Sequence, residues 1–316
     1  MILIVLVELL FLLPFQRYRM EEHDIPLEYM KQWPLIEPCH GLTGVGKVLK
    51  VGNGVTCLKK DDLVSSLRGW SWQLRQNFNK NQLILLNNQS EVDLYSYGIS
   101  SLTGYLSVLK ADCVLPAGSQ TAVVSTCAGS VGFVTAQVLS LMGCDRVIGL
   151  TSTTKKCDFL MQTLNLDSAV NYKSASFAED LAKACPKGVD IFVDLVGGSV
   201  SNTVKSIMRK NGHILTIGSI STYQEQSDGS PPEEDDAPME VTQYLRKNKV
   251  KRHNFAVFDM IPDWPSALNQ LKEWANSGDL KLPITRSPGL ESAATAFISM
   301  MSGGNIGKQI VQVSQS

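Results

Sequence analysis

The sequence predicts an α/β protein that combines a doubly wound parallel sheet with a second, β-rich domain. A buried apolar strand at 121–125 leads through Gly129 and Gly132 into an apolar-periodic helix at 131–142. Strand and helix patterns then alternate for about a hundred residues, and strands separated by helices form parallel sheets with right-handed crossovers. Short strands punctuated by glycine precede this region, which is typical of a small barrel.

The individual elements follow from the spacing of apolar residues. In the alternating region the strands are predicted at 121–125, 146–150, 169–172, 191–196 and 213–217, and the helices at 131–142, 155–164, 177–185 and 200–208. A helix is also predicted near Ala267–Trp274, and a last strand, Gly307–Val313, is expected to rejoin the barrel. The domains are therefore predicted as 1–95 with 279–316, and 96–278.

The apolar start of the chain, Met1–Leu13, has two interpretations. It lacks a positively charged beginning and a small-residue cleavage site, and it is too short to span a bilayer. We expect one or two core strands, with a secretory signal as the alternative. The acidic, proline-rich segment Gln224–Glu240 predicts a solvated loop, or alternatively a lid.

Composition excludes several classes of function. The net charge of −1 over 316 residues argues against nucleic acid or an anionic membrane as an obligatory partner. Seven scattered cysteines without a C-x-x-C pair indicate reduced thiols in a cytoplasmic protein. The four histidines lack metal-ligand spacing, so no metal is expected. The expected partner is a small-molecule substrate, and the protein is expected to be a monomer or homodimer.

The glycine turn predicts a dinucleotide site. Free N–H groups and a partial positive charge at the helix start would hold a diphosphate. An Asp or Glu after the second strand favours NAD, whereas Gly149–Cys157 has hydroxyls and two lysines and no acid. We therefore predict NADPH, with Lys156 or Lys155 pairing with its 2′-phosphate. The alternative is that these lysines form a solvated helix start.

Several motifs together resemble the prostaglandin reductases, which are zinc-independent, NADPH-dependent medium-chain reductases of enones. The motifs are Ala128–Gly132, Val170–Lys173, Val196–Gly198, Gly218–Tyr223 and Met301–Val311, the last of which is similar to the 15-oxoprostaglandin 13-reductase branch. The resemblance implies a Rossmann domain and a GroES-like catalytic barrel, shortened here by roughly forty residues at its start.

The resemblance also implies roles for individual residues. Cofactor contacts fall on Gly129, Ser130, Val131, Gly132, Lys156, Tyr172, Ile217, Gly218, Ser219, Tyr223 and Asn305, and substrate contacts on Phe255, Ala256 and Val257. Tyr223 matches the tyrosine implicated in catalysis, where its hydroxyl would stabilise a developing oxyanion; the alternative is an anchor at a strand–loop junction. Trp70 could wall an apolar substrate cleft, or pack in the core.

Three residues depart from the pattern of that family. Thr126 replaces a glycine, which a β-branched residue substitutes poorly if φ is positive. Leu195 replaces a polar cofactor contact, and Phe15 replaces a pocket tyrosine. The expected activity is NADPH-dependent reduction of the carbon–carbon double bond of 15-oxoprostaglandins or related lipid enones. The alternatives are a quinone or alkenal reductase and a catalytically weak NADPH-binding protein.

Overall fold

A computed structural model describes residues 2–12, 16, 41–67, 69–115, 118–217 and 237–313. The strands are β1 (Ile2–Phe11), β2 (Gly44–Val51), β3 (Leu63–Ser66), β4 (Arg75–Asn79), β5 (Ile84–Leu85), β6 (Thr121–Val124), β7 (Arg146–Thr151), β8 (Ser168–Asn171), β9 (Val189–Asp194), β10 (Met208–Thr216), β11 (Lys251–Asn254), β12 (Ile284–Pro288) and β13 (Lys308–Gln312). The helices are α1 (Gln89–Tyr97), α2 (Ile99–Ala111), α3 (Ser130–Leu141), α4 (Thr154–Leu164), α5 (Phe177–Ala184), α6 (Gly198–Lys205), α7 (Met239–Lys247), α8 (Trp264–Ser277) and α9 (Ala293–Met301).

The chain divides into two compact units. Unit 1 comprises Met1–Ile99 and Asn269–Ser316, and unit 2 comprises Ser100–Leu268. Among the described residues, no helix is long and apolar enough to cross a membrane.

Unit 1 is built around a sheet that is largely antiparallel. The strand order is β12-β13-β1-β2-β3-β5, and β4 also pairs with β1. Strand β1 is central, because it pairs antiparallel with β2, with β4 and with β13. Its alternate side chains Leu3, Val5 and Val7 are fully buried in one apolar cluster. The apolar start of the chain therefore forms a core strand as predicted, and the last strand rejoins the same sheet.

Unit 2 holds a six-stranded sheet in the order β11-β10-β9-β6-β7-β8, with every pair parallel. Val123, Phe192 and Ile214 lie side by side across three strands, and α5, α6 and α7 pack on that face. On the other face, a Cβ built on Gly149 would lie 3.1 Å from Leu160 of α4. Helices on both faces of a parallel sheet confirm the predicted doubly wound fold.

One predicted element was wrong at its end. The helix predicted at 200–208 ends at Lys205, and Met208 begins β10 instead. Met208 pairs with Val189 and is buried, and a register shift follows before His213. The shift coincides with an irregularity inside β10, where Asn211 adopts a φ of 62°. Burial of Met208 against the sheet outweighs the helical spacing of the preceding residues.

The strand order reverses between β6 and β9. From β6 the chain moves outward to β7 and β8, then returns to the other side of β6 as β9, β10 and β11. Crevices form outside the carboxyl ends of parallel strands at such a switch point, and ligands bind there. The site should therefore lie where β6, β7, β9 and β10 end.

Candidate dinucleotide site

The turn between β6 and α3 forms the centre of the site. The N–H of Gly129 donates to the carbonyl of Thr126 at 2.8 Å, and α3 then begins at Ser130. Gly129 is the N-cap residue and offers no side chain to cap the helix. The first-turn N–H groups are thus not satisfied by the cap and point toward the carboxyl edge of the sheet. The predicted cradle consists of Gly129, the N-cap, and of Ser130, Val131 and Gly132, which form the first turn of α3.

Gly132 is required by the close approach of the turn to the helix. A Cβ at this position would lie 2.7 Å from the Thr126 carbonyl oxygen and 2.9 Å from the Cα of Cys127. Any larger side chain would push the turn away from α3 and misplace the N–H groups. Glycine at this position therefore keeps the turn close to the helix start, as a binding site for a dinucleotide diphosphate requires.

Thr126 adopts the conformation that the sequence suggested a glycine should have. Its φ is 44°, in the left-handed region, and it is the only β-branched residue with a positive φ among those described. A β-branched residue in this region is strained. The strain lies in the backbone that precedes the helix start.

A buried hydrogen-bond network fixes the neighbouring turn between β9 and α6. The hydroxyl of Ser125 donates to the Val193 carbonyl at 3.2 Å and accepts the Leu195 N–H at 2.8 Å, which ties the ends of β6 and β9 together. The Asp194 carboxylate accepts the N–H groups of Val196 at 3.2 Å and Gly197 at 3.0 Å. Asp194 therefore caps the turn that follows its strand.

Two further partners hold the other oxygen of Asp194. The Ser201 hydroxyl donates to it, and the Lys205 ammonium lies 3.7 Å away. Asp194 is only 3% exposed, and burying a carboxylate is costly unless such partners surround it. Leu195 places a buried apolar side chain next to this network.

A basic, hydroxyl-rich cluster lies where β7 and β8 end. Lys156 is half-buried in the first turn of α4, and burial together with the charge of Lys173 lowers its pKa. Tyr172 follows β8; burial raises its pKa, and its phenol is hydrogen-bonded to the Ser152 side chain. Two lysines that repel each other beside two hydroxyls favour an added anion, since the anion would relieve the repulsion.

Lys173 and Ser152 are the members of this cluster that sequence reasoning missed. A detectable signal was a second lysine directly after the next parallel strand, because carboxyl ends of neighbouring strands share one edge of the sheet. The hydrogen bond between Ser152 and Tyr172 had no such signal, since it depends on how two separate turns approach each other.

The other predicted residues of unit 2 that the structure describes lie at the same edge of the sheet. The Ile217 N–H donates to the Asp194 carbonyl at 3.0 Å, and the Phe255 N–H donates to the Thr216 carbonyl at 3.1 Å. Ala256 and Val257 follow Phe255 directly, and Val257 is buried. Gly218, Ser219 and Tyr223 lie outside the described residues, as do Phe15 and most of the predicted loop or lid, 224–236.

Asn305 and Trp70 belong to unit 1. The Asn305 amide donates to the Gly307 carbonyl at 2.7 Å. Trp70 has no exposed surface, its indole N–H donates to the Ser66 carbonyl at 3.0 Å, and its ring lies 4.8 Å from that of Phe78. Trp70 is therefore a core residue and not the predicted wall of a cleft. Among the residues that the structure describes, no group of three or more His, Cys, Asp or Glu side chains could hold a metal.

Comparison with known proteins identifies the family. The family described as zinc-binding dehydrogenase matches residues 164–311. YfmJ of Bacillus subtilis, named as an NADP-dependent oxidoreductase, is 32% identical over 305 residues, which cover 95% of this chain and 85% of YfmJ. The chain belongs to the medium-chain dehydrogenase/reductase superfamily. A 2-alkenal reductase of Nicotiana tabacum from the same superfamily is 30% identical over 308 residues, 96% of this chain and 84% of that protein.

Two further superfamily members relate to the predicted branch. Prostaglandin reductase 1 of Sus scrofa is 36% identical over 225 residues, 69% of this chain and 64% of that enzyme. The crystal structure of CurA from Vibrio vulnificus in complex with NADPH aligns with a TM-score of 0.84 at 27% identity, covering 100% of this chain and 90% of CurA. The superfamily is thus established, whereas the prostaglandin reductase branch remains a prediction.

Proposed function

We propose that this protein is an NADPH-dependent reductase of the carbon–carbon double bond of α,β-unsaturated carbonyl compounds. It is an NADP-dependent oxidoreductase, and its cofactor is NADPH. The observation that carries the cofactor assignment is the cluster of Lys156, Lys173, Tyr172 and Ser152 at the ends of β7 and β8. A 2′-phosphate carries negative charge, and this cluster supplies positive charge and hydroxyl groups to receive it.

Other residues of the site would contact the diphosphate and the nicotinamide half of the cofactor. The first-turn N–H groups of α3 at Ser130, Val131 and Gly132 would hold the diphosphate. Ile217 at the end of β10, together with Gly218 and Ser219, would line the nicotinamide half. Asp194 and Ser125 do not need to touch the cofactor, because they fix the turn between β9 and α6. Asn305 remains a predicted cofactor contact in unit 1.

When bound, NADPH supplies a hydride for the β-carbon of the enone. The protein must then orient the double bond and stabilise the negative charge that develops on the carbonyl oxygen. Phe255, Ala256 and Val257 offer an apolar surface at the carboxyl edge of the sheet for the substrate. Tyr223 would donate its hydroxyl to the carbonyl oxygen, which is worth about 3 kcal/mol for one such donor.

Two classes of α,β-unsaturated substrate are favoured. The motif in Met301–Val311 favours 15-oxoprostaglandins or related lipid enones. A relative named 2-alkenal reductase covers more of this chain than prostaglandin reductase 1 does, so alkenals are an equal candidate. A quinone reductase would differ only in the shape of the pocket.

A second candidate function is NADPH binding with weak catalysis. Two departures from the family pattern favour it: Leu195 replaces a polar contact near the reacting end of the cofactor site, and Phe15 replaces a pocket tyrosine. This candidate predicts tight NADPH binding without enone-dependent oxidation of NADPH.

Two measurements test these alternatives. Calorimetry should give a much lower dissociation constant for NADPH than for NADH, and equal affinities would refute the role of the lysine cluster. Oxidation of NADPH is then followed with a 15-oxoprostaglandin, an alkenal and a quinone. Turnover of an enone or alkenal supports the proposal, and Tyr223→Phe should reduce it tenfold or more at saturating NADPH. Binding without turnover of any of the three selects the second candidate.

A further inference from the structure

Two histidines on neighbouring strands form a stacked, hydrogen-bonded pair. His213 of β10 and His253 of β11 have ring centroids 5.2 Å apart and planes within 7° of parallel. The Nδ1 atom of His213 lies 3.0 Å from the Nε2 atom of His253. In the parallel register His213 pairs with Lys251 and Leu215 with His253, so the two imidazoles are diagonal neighbours on one face of the sheet.

The stack continues to a residue of the proposed substrate surface. The ring of Phe255 lies 6.1 Å from that of His253, with planes within 4° of parallel. Phe255 is held to the sheet by the hydrogen bond from its N–H to the Thr216 carbonyl, at the point where the chain leaves β11. Three parallel rings therefore run from β10 to the carboxyl edge of the sheet, and Phe255 is the outermost.

Burial favours the neutral form of both imidazoles. Burial lowers the pKa of His213, with smaller contributions from His253 and Lys251, and burial and Lys251 lower the pKa of His253. Lys251, exposed on the same face of β11, is the charged group that acts on both rings. Between neutral imidazoles one ring N–H donates to the lone pair of the other ring, so a single bond fixes the orientation of both.

We propose that His213 is a positioning residue for substrate binding: it holds the plane of His253, and His253 in turn holds the ring of Phe255 as one wall of the substrate site. This inference rests on the proposed function. His213 touches neither cofactor nor substrate, and its effect reaches the site only through the two stacked rings. A fixed aromatic wall favours flat, conjugated substrates, which can lie parallel to the ring.

The chain allows a matched set of variants. In His213→Asn the side-chain amide nitrogen replaces Nδ1, so the hydrogen bond to His253 can be kept. In His213→Leu the bulk is kept and the bond is lost. In His253→Phe the ring against Phe255 is kept and the same bond is lost from the other side. The double variant His213→Leu/His253→Phe completes a cycle.

The probe is benzylideneacetone, a flat aryl enone, in steady-state assays at saturating NADPH. We expect KM to rise about threefold to tenfold in His213→Leu and in His253→Phe, as the net worth of one hydrogen bond indicates, and to stay near wild type in His213→Asn. The double variant should show no further increase, because both changes remove one bond. The dissociation constant of NADPH should not change in any variant.

A binding measurement gives the same test without turnover. Calorimetry of benzylacetone, the saturated product, with the NADP⁺-loaded protein should show the same pattern of dissociation constants. A wild-type protein that binds NADPH but turns over no enone refutes the proposed function, and the product-binding measurement then decides the positioning role by itself. Unchanged KM and product affinity in the folded His213→Leu and His253→Phe variants overturn the inference. The inference is also overturned if KM and the dissociation constant of the product rise as much in His213→Asn as in His213→Leu.

Discussion

Replacing Thr126 by glycine should make unit 2 more stable. Thr126 has a φ of 44°, which a β-branched residue adopts only under strain of about 1 to 3 kcal/mol. Glycine adopts this φ freely, but the extra freedom of the unfolded chain costs roughly 0.5 to 1 kcal/mol. Because the threonine side chain is partly exposed, little packing is lost. The net expected gain is about 1 kcal/mol.

Calorimetry can isolate this effect. The transition of unit 2 is the one that NADPH shifts upward, because a ligand stabilises the unit that binds it. In Thr126→Gly, without cofactor, this transition should move up by about 2 to 4 °C. NADPH affinity should be retained or improved, since the turn keeps the conformation it already has.

Asn165→Gly is the matched control for this substitution. Asn165 ends α4 with a φ of 51°, but asparagine tolerates the left-handed region, so glycine should gain little or nothing there. A midpoint for Thr126→Gly that is unchanged, lowered or equal to that of the control would show that the turn is not strained by its side chain.

Three further outcomes follow from the site. Lys156→Ala and Lys173→Ala should each raise the dissociation constant of NADPH at least tenfold and leave that of NADH nearly unchanged; equal effects on both cofactors would contradict the cluster. Asp194→Asn should lower the free energy of unfolding by about 1 to 3 kcal/mol, because the amide cannot replace every partner of the buried carboxylate, and a neutral effect in urea unfolding would contradict the network. The folded-state pKa values of His213 and His253 lie below the ordinary 6.5, so between these values the unfolded chain binds more protons than the folded chain. The contribution of these histidines to the free energy of unfolding should therefore be fully present above pH 6.5 and be lost as the pH falls through their folded-state pKa values. In urea unfolding, His213→Asn should make the free energy of unfolding depend less steeply on pH in this range.

Local spacing predicted most elements of unit 2, because its strands are short apolar runs and its helices have one apolar stripe. The same rule fails at Met208. Val200, Val204 and Met208 are spaced four residues apart, as on one face of a helix, yet Met208 pairs with Val189 in the sheet. Spacing cannot report a partner that lies far away in sequence.

The site was predictable only where its chemistry is local. The role of the turn from Thr126 to Gly132 could be predicted from a few neighbouring residues, and so could that of Lys156. Trp70 was not, because an aromatic ring in a core and one lining a cleft have the same sequence signal. The pair of His213 and His253 depends on the register of two strands forty residues apart, and neither residue has a nearby partner that would mark it.

The pairing of β1 with β13 determines the order in which the molecule can be completed during synthesis. Along the chain, β1 is synthesised before unit 2, which is one continuous stretch, and β13 is synthesised after it. Unit 2 can fold while translation continues, but the end of β1 that pairs with β13 must wait until β13 has been made. Throughout that delay a nascent chain displays an unpaired, strongly apolar edge, which makes it a substrate for chaperones and a source of misassembly.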